Sequence, residues 1–214
     1  VTLKLYPAVV TLHLIGGLVL LVLLAAQHAA YRPRPLVVGP SVARRLWMAS
    51  ALLGVQIALG GWVSSNYAVL ACSDFPQCNG QWWPPMAFGE GFSVLRPLGH
   101  AAGGGLLPME ALIAIHMAHR LFALAATVAL LSLAWSMWTT TPGAGSAGDS
   151  AAGLHRTALM LLALTLAQVG TGLGNVVLGW PLAAALLHSA GAASLVLVLA
   201  LSSARVLQAR RGSG

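Results

Sequence analysis

The stretch from Leu5 to Gln27, LYPAVVTLHLIGGLVLLVLLAAQ, is 23 residues long and contains no charged residue. Crossing the hydrocarbon core of a bilayer takes about 20 consecutive apolar residues in a helix. The stretch has no alternation of apolar and polar residues with a period of two, which is the pattern of an outer-membrane strand. Because a segment in lipid must satisfy its own backbone hydrogen bonds, the stretch predicts a transmembrane helix.

The rest of the 214-residue chain has the same character. Hydrophobic residues make up 58% of the sequence and charged residues only 7%. A soluble domain carries about 25% charged residues, so an ordinary cytosolic enzyme is excluded. We predict an all-α integral membrane protein with five transmembrane helices, at Leu5–Gln27, Leu46–Val63, Ala111–Trp138, Leu159–Leu178 and Leu182–Ala204.

Four connections join these helices. Residues 28–45 are predicted to form a short polar loop, and residues 139–153 a linker rich in Thr, Gly, Ser and Ala. Residues 64–110 form a long loop rich in Gly, Pro and Trp, which exceeds what a simple connection needs. The sequence Gly179-Trp180-Pro181 predicts a tight turn.

The distribution of basic residues predicts the orientation. Eight of the 11 lie on one side: Arg32, Arg34, Arg44, Arg45, Arg156, Arg205, Arg210 and Arg211. The other side has Lys4, Arg96 and Arg120. Since cytoplasmic loops of membrane proteins are enriched in Lys and Arg, we expect the first loop, the linker and the C-terminus in the cytoplasm. The N-terminus and the 64–110 loop then face outward.

The two cysteines, Cys72 and Cys78, both lie in that outward loop. An extracytoplasmic compartment is oxidising, so we expect a disulfide between them. Structural zinc takes four ligands, which argues against metal binding by this pair. A redox-active pair above the helices is the remaining alternative.

Seven histidines stand in this apolar chain. His28 and His155 lie at helix ends and His100 lies in the loop, where a polar residue needs no special explanation. The other four are intramembrane: His13, His116, His119 and His188. An ionisable side chain in a bilayer is costly, so a functional role is the default hypothesis.

Three of these histidines share one depth. His13, His119 and His188 follow the outer ends of their predicted helices by eight, eight and six residues. At a rise of about 1.5 Å per residue, they lie about 9–12 Å below the outer surface. The alternative is that each histidine bonds a carbonyl of a neighbouring helix.

Small residues stand one turn from these histidines: Gly16 and Gly17, Ala123, Ala184 and Ala192. A planar macrocycle ligated through its iron needs such clearance, whereas a bare metal would need carboxylates, which the spans lack. The pattern favours a bis-histidine haem over a transporter cavity. Small residues also serve close helix packing, the role expected for Gly170, Gly172 and Gly174.

His116 precedes His119 by one turn on nearly the same face, so either could ligate iron. Arg120 could pair with a haem propionate or extend to the membrane interface. We favour His119 as the ligand and His116 as a pocket residue.

The segment that begins at His13, HLIGGLVLLVLL, resembles the segment that begins at His188, HSAGAASLVLVL. If the unit repeats every four helices, the first helix closes one unit and the next four form a second. We therefore expect the chain to be a portion of an eight-helix protein, whose first unit would lack three helices here.

The motifs of the chain resemble the haem A synthase family, in the style of its proteobacterial members. They are GGWVSSN at Gly60–Asn66, ACSDFPQCNGQW at Ala71–Trp82, IHMAHR at Ile115–Arg120 and LHSAG at Leu187–Gly191. The resemblance covers essentially the whole chain, but only the second half of that family's fold plus its fourth helix. The loop motif is fairly specific, whereas the histidine helices alone would be a weak signal.

The resemblance implies two pseudo-symmetric four-helix bundles. Residues 1–28 would be the last helix of an incomplete N-terminal bundle and 29–45 a cytoplasmic loop. Residues 46–205 would form a C-terminal haem b bundle with the outward loop 64–110, and 206–214 a cytoplasmic tail. His119 and His188 would be the axial ligands of haem b, with His116 and Arg120 beside it. The Cys72–Cys78 pair would match the family's extracytoplasmic disulfide.

The resemblance also implies an activity. The family oxidises the C8 methyl of haem O to the formyl of haem A, for cytochrome c oxidase, in the bacterial inner membrane. His13 would be one of two histidines of the substrate site, whose partner histidine and glutamate lie outside this chain. We therefore expect this chain alone to be inactive. Haem O synthase and an electron donor are the expected partners, and a homo-oligomer stays open. The alternatives are a b-type cytochrome that takes electrons from quinol and a transporter with structural histidines.

Overall fold

The computed structural model describes residues 6–140 and 149–212. Its helices are α1 (Pro7–Tyr31), α2 (Pro40–Ser65), the short α3 (Phe88–Gly91), α4 (Met109–Thr139), α5 (Asp149–Val177) and α6 (Leu182–Arg211), with a 3₁₀ turn at Ala68–Leu70. Five of these helices are long and apolar enough to cross a membrane. Isolated bridges are the only β pairing within the described ranges. The predicted all-α architecture with five spans is confirmed.

The helices extend beyond the predicted spans at the end rich in arginine. α2 begins at Pro40, six residues before Leu46, and α5 begins at Asp149, ten before Leu159. Proline suits the first turn of a helix because its missing N–H is not needed there. The prediction of a loop at residues 28–45 is therefore wrong at both ends. The connection in the structure is residues 32–39, because α1 continues to Tyr31 and α2 begins at Pro40. Part of the predicted linker is helical, and its residues 141–148 lie outside the described residues.

The described chain divides into two compact units. The first comprises residues up to Gly17, Val55–Leu124 and Gly170–His188, and the second comprises Leu18–Gly54, Ala125–Val169 and the residues from Ser189. Each long helix contributes a segment to both units. The four intramembrane histidines and the long loop all belong to the first unit.

In the first unit, α1 packs closely on α2 at Gly61. A Cβ there would lie 3.0 Å from Leu14 Cδ2 and 3.3 Å from Thr11 Cγ2. Thr11 Oγ1 and Ser65 Oγ are 3.3 Å apart, which adds a polar contact at the outer end of the two helices. The small residue therefore lets the two helices approach.

In the second unit, polar contacts join the helix ends. Gln208 Nε2 of α6 donates to the carbonyl of Ala29 of α1 at 2.7 Å, and the N–H of Leu36 donates to the carbonyl of Arg205 at 3.1 Å. The guanidinium of Arg45 donates to the hydroxyl of Ser136. These bonds satisfy backbone and side-chain groups where the helices end.

The 64–110 loop packs on the C-terminal end of α2 and the N-terminal end of α4. Trp62 Nε1 donates to the carbonyl of Gly91 at 2.9 Å. A Cβ at Gly91 would lie 2.7 Å from the carbonyl oxygen of Ala111, so only glycine fits between the loop and α4. The turn at Gly179-Trp180-Pro181 is confirmed, since Gly179 and Trp180 have φ values of 68° and 62° between α5 and α6.

Candidate functional site

The 64–110 loop contains a small disulfide ring. Cys72 and Cys78 are bonded, as expected, and both are buried. Asp74 inside the ring accepts a hydrogen bond from the N–H of Gly80 at 2.9 Å and another from the N–H of Asn79. The Gly80 bond, with further help from Asn79 and the Arg120 charge, lowers the pKa of Asp74 below its usual 3.8. Asp74 is therefore ionised at neutral pH, and its carboxylate bonds to the backbone just after Cys78.

Arg120 of α4 binds this ring from below. Its Nη1 donates to the carbonyl of Gln77 and its Nη2 to the carbonyl of Asp74, each at 2.9 Å. The guanidinium also lies 5.7 Å from the centroid of Phe75. The sequence left Arg120 between pairing with a propionate and extending to the interface; in the structure two of its nitrogens bond to the loop backbone.

Arg96 is a second internal cation. It is 0% exposed, and its Nη2 donates to Oδ1 of Asn66 at 2.6 Å. The carbonyls of Gly91 and His100 lie at 3.4 and 3.5 Å, and the ring of Trp62 lies 5.9 Å from the guanidinium carbon. Burial lowers the pKa of Arg96 from 12.5. The predicted orientation counted Arg96 among the charged residues of the 64–110 loop, whereas its side chain is buried.

His116 lies deep in the first unit and is 3% exposed. Its Nε2 accepts a hydrogen bond from Arg120 Nε at 3.2 Å. Its Nδ1 is buried, and no hydrogen-bond partner for that atom lies among the described residues. One ring nitrogen of His116 is therefore occupied by the same arginine that holds the disulfide loop.

His119 lies on α4 against α2. A Cβ on Gly60 would lie 3.1 Å from Cε1 of the His119 ring, so the ring rests on bare backbone. Gln56, one turn before Gly60, places its amide nitrogen 3.0 Å from Nδ1 and 3.3 Å from Nε2 of the same ring. That amide nitrogen also donates to the His119 carbonyl at 3.3 Å.

His188 lies on α6 in a similar setting against α5. A Cβ on Gly172 would lie 3.2 Å from Cε1 and 3.7 Å from Nδ1 of the His188 ring. The hydroxyl of Thr171 lies 3.1 Å from Nδ1. His119 and His188 are also close enough for a charge on one ring to act on the other.

The other four histidines are exposed or contact a backbone carbonyl. His13 is exposed on α1, and positions 16 and 17 beside it have open space around them. His28 is exposed, His155 contacts the carbonyl of Trp138 at 3.1 Å, and His100 lies 3.2 Å from the carbonyl of Gly105 in the loop.

Sequence reasoning missed four residues of this site: Gln56, Gly60, Thr171 and Gly172. The clearance around the rings comes from glycines on the facing helices, not only from the small residues on the histidine helices themselves. Gly172 receives the ring of His188, whereas it was expected to serve helix packing. A repeated pattern could have pointed to these helix faces, because Gln-x-x-x-Gly occurs at positions 56–60 and again at 168–172.

The donor set restricts what the site can bind. No group of three or more His, Cys, Asp or Glu able to hold a metal ion occurs in the part of the chain that the structure describes. Two imidazoles on glycine-lined faces are instead the ligand set of a six-coordinate haem, which supplies its own four equatorial nitrogens. The residues present fit such a group.

The fold and site define a helical membrane protein with an intramembrane pair of imidazoles. The chain belongs to the COX15-CtaA family, described as a cytochrome oxidase assembly protein, whose family model matches residues 1–200. Family membership and the five apolar helices make it a multi-pass membrane protein.

Several curated proteins named heme A synthase are similar to this chain. That of Shewanella oneidensis is 37% identical over 204 residues, covering 93% of this chain and 58% of that protein. That of Beijerinckia indica is 32% identical over 205 residues, covering 94% of this chain and 52% of that protein. That of Halalkalibacterium halodurans is 26% identical over 175 residues, covering 82% and 49%. The chain thus spans about half the length of the relatives it matches.

Proposed function

We propose that this chain acts in haem A biosynthesis as the C-terminal part of a haem A synthase, with His119 and His188 as the axial ligands of a haem b. The observation that carries the proposal is the matched setting of the two rings. Each ring lies on a glycine of the facing helix, with Cε1 at 3.1 or 3.2 Å from where a Cβ would be. Matched settings on two helices are what two ligands of one planar group require.

The choice of His119 over His116 rests on their partners. His116 already accepts a hydrogen bond from Arg120, and it is almost fully buried. His119 is half-buried and close to His188. In this proposal His116 and Arg120 are pocket residues, which support α4 and connect it to the disulfide loop.

A bis-histidine haem accepts and donates single electrons. The protein residues set its environment: Gly60 and Gly172 admit the rings, and the apolar faces of α2 and α4–α6 exclude water. Gln56 and Thr171 lie beside the ring nitrogens of the ligands. The chain by itself therefore supplies an electron-transfer site.

The substrate of the complete protein is proposed to be haem O and its product haem A. If each of two hydroxylations consumes one dioxygen and two electrons from the donor and releases one water, the C8 methyl becomes a gem-diol, which loses water to give the formyl group. His13 on α1 is proposed as one histidine of that substrate site. The proposal requires an electron donor and haem O synthase as partners. We expect the chain alone to bind haem without turning over haem O.

The proposed location is the inner membrane of a bacterium, with the 64–110 loop outside and the C-terminus in the cytoplasm. This follows from the arginine asymmetry, since eight of the 11 basic residues lie at the other end of the helices. The disulfide supports it, because disulfides persist in oxidising compartments. The proposed domains are the first helix, which ends at Tyr31, a connection at residues 32–39, and a bundle that extends from Pro40 to the end of α6 at Arg211.

The test is a spectrum of the chain purified from a haem-producing host. We expect a Soret band, a low-spin reduced-minus-oxidised spectrum and protohaem in the pyridine haemochrome assay. Absence of any haem would overturn the proposal and favour a transporter. In the full-length protein, haem O should change the spectrum and give haem A. A full-length protein that holds haem b but ignores haem O would instead be a b-type cytochrome.

A further inference from the structure

The four helices that contain the site fall into two pairs with the same internal pattern. In the first pair, α2 contains Gln56 and Gly60 and faces His119 of α4. In the second pair, α5 contains Gln168 and Gly172 and faces His188 of α6. The bundle is therefore built twice from one motif, in which a glycine receives the ring of a histidine.

The two rings meet their glycines with the same edge. The Cβ position of Gly60 lies 3.1 Å from Cε1 and 3.7 Å from Nδ1 of His119, and that of Gly172 lies 3.2 and 3.7 Å from the same atoms of His188. Because the contacts are nearly equal in the two pairs, we infer that the facing helix fixes the position of each ring. The polar groups observed at Nδ1 are the Gln56 amide in the first pair and the Thr171 hydroxyl in the second.

We propose that Gln56 and Thr171 are positioning residues for the two histidines, and that each binds Nδ1 so that Nε2 faces the iron. This inference rests on the proposed bis-histidine haem. The shorter contact of the Gln56 amide is with Nδ1, at 3.0 Å, and the Thr171 hydroxyl lies 3.1 Å from Nδ1 of His188. A histidine that ligates through Nε2 carries its proton on Nδ1, and a group that accepts this proton fixes the tautomer and the ring orientation.

The Gln56 amide has the atoms for this role. Its Oε1 is buried, and no hydrogen-bond partner for that atom lies among the residues the structure describes. In the structure, the amide nitrogen lies 3.0 Å from Nδ1 of His119. A rotation of the amide by 180° would bring Oε1 to the same position, where it accepts the Nδ1 proton once Nε2 is a ligand. The unpartnered oxygen is then explained by the liganded state.

The second pair uses a different group for the same purpose. Gln168 packs on Gly191, whose Cβ position lies 2.5 Å from Gln168 Oε1, and Thr171 stands at the ring of His188. In this proposal Thr171 accepts the Nδ1 proton of His188, as Gln56 accepts that of His119.

The test compares variants of the haem-loaded chain by midpoint potential and by electron paramagnetic resonance of the ferric low-spin haem. Gln56→Glu should lower the midpoint potential, because a carboxylate draws the Nδ1 proton and strengthens donation from His119. Gln56→Leu should raise the potential and weaken haem retention by about 10- to 100-fold, the usual effect of losing such a partner. Thr171→Val should shift the resonance signal, and Thr171→Ser should restore it.

Two matched substitutions serve as controls. Thr165→Val changes another threonine of α5, which is buried and lies six residues before Thr171. Gln208→Leu changes a glutamine of α6 that bonds the carbonyl of Ala29 instead of a histidine. Both should leave the potential and the resonance signal unchanged.

The outcomes separate this inference from the proposed function. If His119→Ala and His188→Ala abolish low-spin haem while the Gln56 and Thr171 variants match the controls, the positioning roles are wrong and the ligands stand. If His119→Ala keeps low-spin haem, the proposed ligand itself is wrong, and the inference about Gln56 fails with it.

Discussion

Arg120 donates a hydrogen bond of 2.9 Å from Nη1 to the backbone carbonyl of Gln77. Because Arg120 directly follows His119 on α4, this bond ties the disulfide loop to the helix of the proposed ligand. A second bond of the same length reaches the carbonyl of Asp74, so one side chain holds two points of the ring. The loop therefore has a defined position relative to α4.

Replacing Arg120 should loosen that loop. Arg120→Gln removes two charge-assisted hydrogen bonds, each of which contributes about 1.5–3 kcal/mol. We expect the Cys72–Cys78 disulfide to be reduced at least about tenfold faster by an impermeant phosphine, since 1.4 kcal/mol corresponds to about a factor of ten. Arg156→Gln, an exposed arginine of α5, is the control. Equal reduction rates in both variants would refute the tether.

The histidine assignment is tested by removing one ring at a time. His119→Ala and His188→Ala should each abolish the low-spin haem spectrum, because an axial ligand sets the spin state. His116→Ala should keep six-coordinate haem with at most a shifted potential, because its Nε2 is bonded to Arg120. His28→Ala, at an exposed position of α1, should be silent. Loss of the low-spin signal in His116→Ala, with His119→Ala unaffected, would move the ligand by one turn.

The orientation is tested in intact cells with an impermeant maleimide. Cys72 and Cys78 should stay unlabelled until an impermeant reductant is added, and both should then react, because they are outside and oxidised. Labelling without reduction would show that the disulfide is absent in cells. Labelling that requires broken membranes would show that the loop faces the cytoplasm. Ser203→Cys on α6, in a chain without the other two cysteines, should be labelled only after the membranes are broken, since the end of α6 is expected inside.

The loop should also respond to acid through Asp74. The N–H of Gly80 is the largest cause that lowers the pKa of this carboxyl below 3.8, so the carboxylate is favoured in the folded loop. A group whose folded pKa is depressed stabilises the fold above its unfolded pKa and loses that effect as the pH falls through the folded value. We expect the loop amides to be protected from hydrogen exchange at pH 6 and to lose protection below about pH 3.8.

Two variants test whether Asp74 causes this acid response: Asp74→Asn removes the carboxylate, and Glu90→Gln is the control. Asp74→Asn should reduce loop protection at pH 6 and flatten its dependence on pH, because an amide offers only one acceptor oxygen in place of two. Glu90→Gln should keep the pH response of the unchanged chain. A full acid response in Asp74→Asn would assign the effect to another group.

The helical membrane architecture could be predicted because long apolar runs have one structural solution in lipid. Five spans, the turn at Gly179 and the Cys72–Cys78 bond all follow from local composition and compartment. The helix ends were less predictable, because hydropathy detects the apolar core and not the polar turns that extend it. Thus α2 begins at Pro40 and α5 at Asp149, inside segments assigned to a loop and a linker.

The sequence by itself indicated the histidines that we propose as the functional residues. Histidines at one depth in separate spans indicated an intramembrane site, because an ionisable group in lipid is retained only where it has a role. The sequence could not decide which face each helix turns to its neighbours, since that depends on packing between segments far apart in the chain.

Only the tertiary structure placed Gly60 under His119 and Gly172 under His188, with Gln56 and Thr171 at their Nδ1 atoms. It also showed that both internal arginines bond to other parts of the protein: Arg96 to the side chain of Asn66 and Arg120 to the carbonyl of Gln77. The physical reason is that a polar group in an apolar interior must find a specific partner. The partner of each of these groups lies on a different segment, so contact across the fold, and not local sequence, decides the pairing.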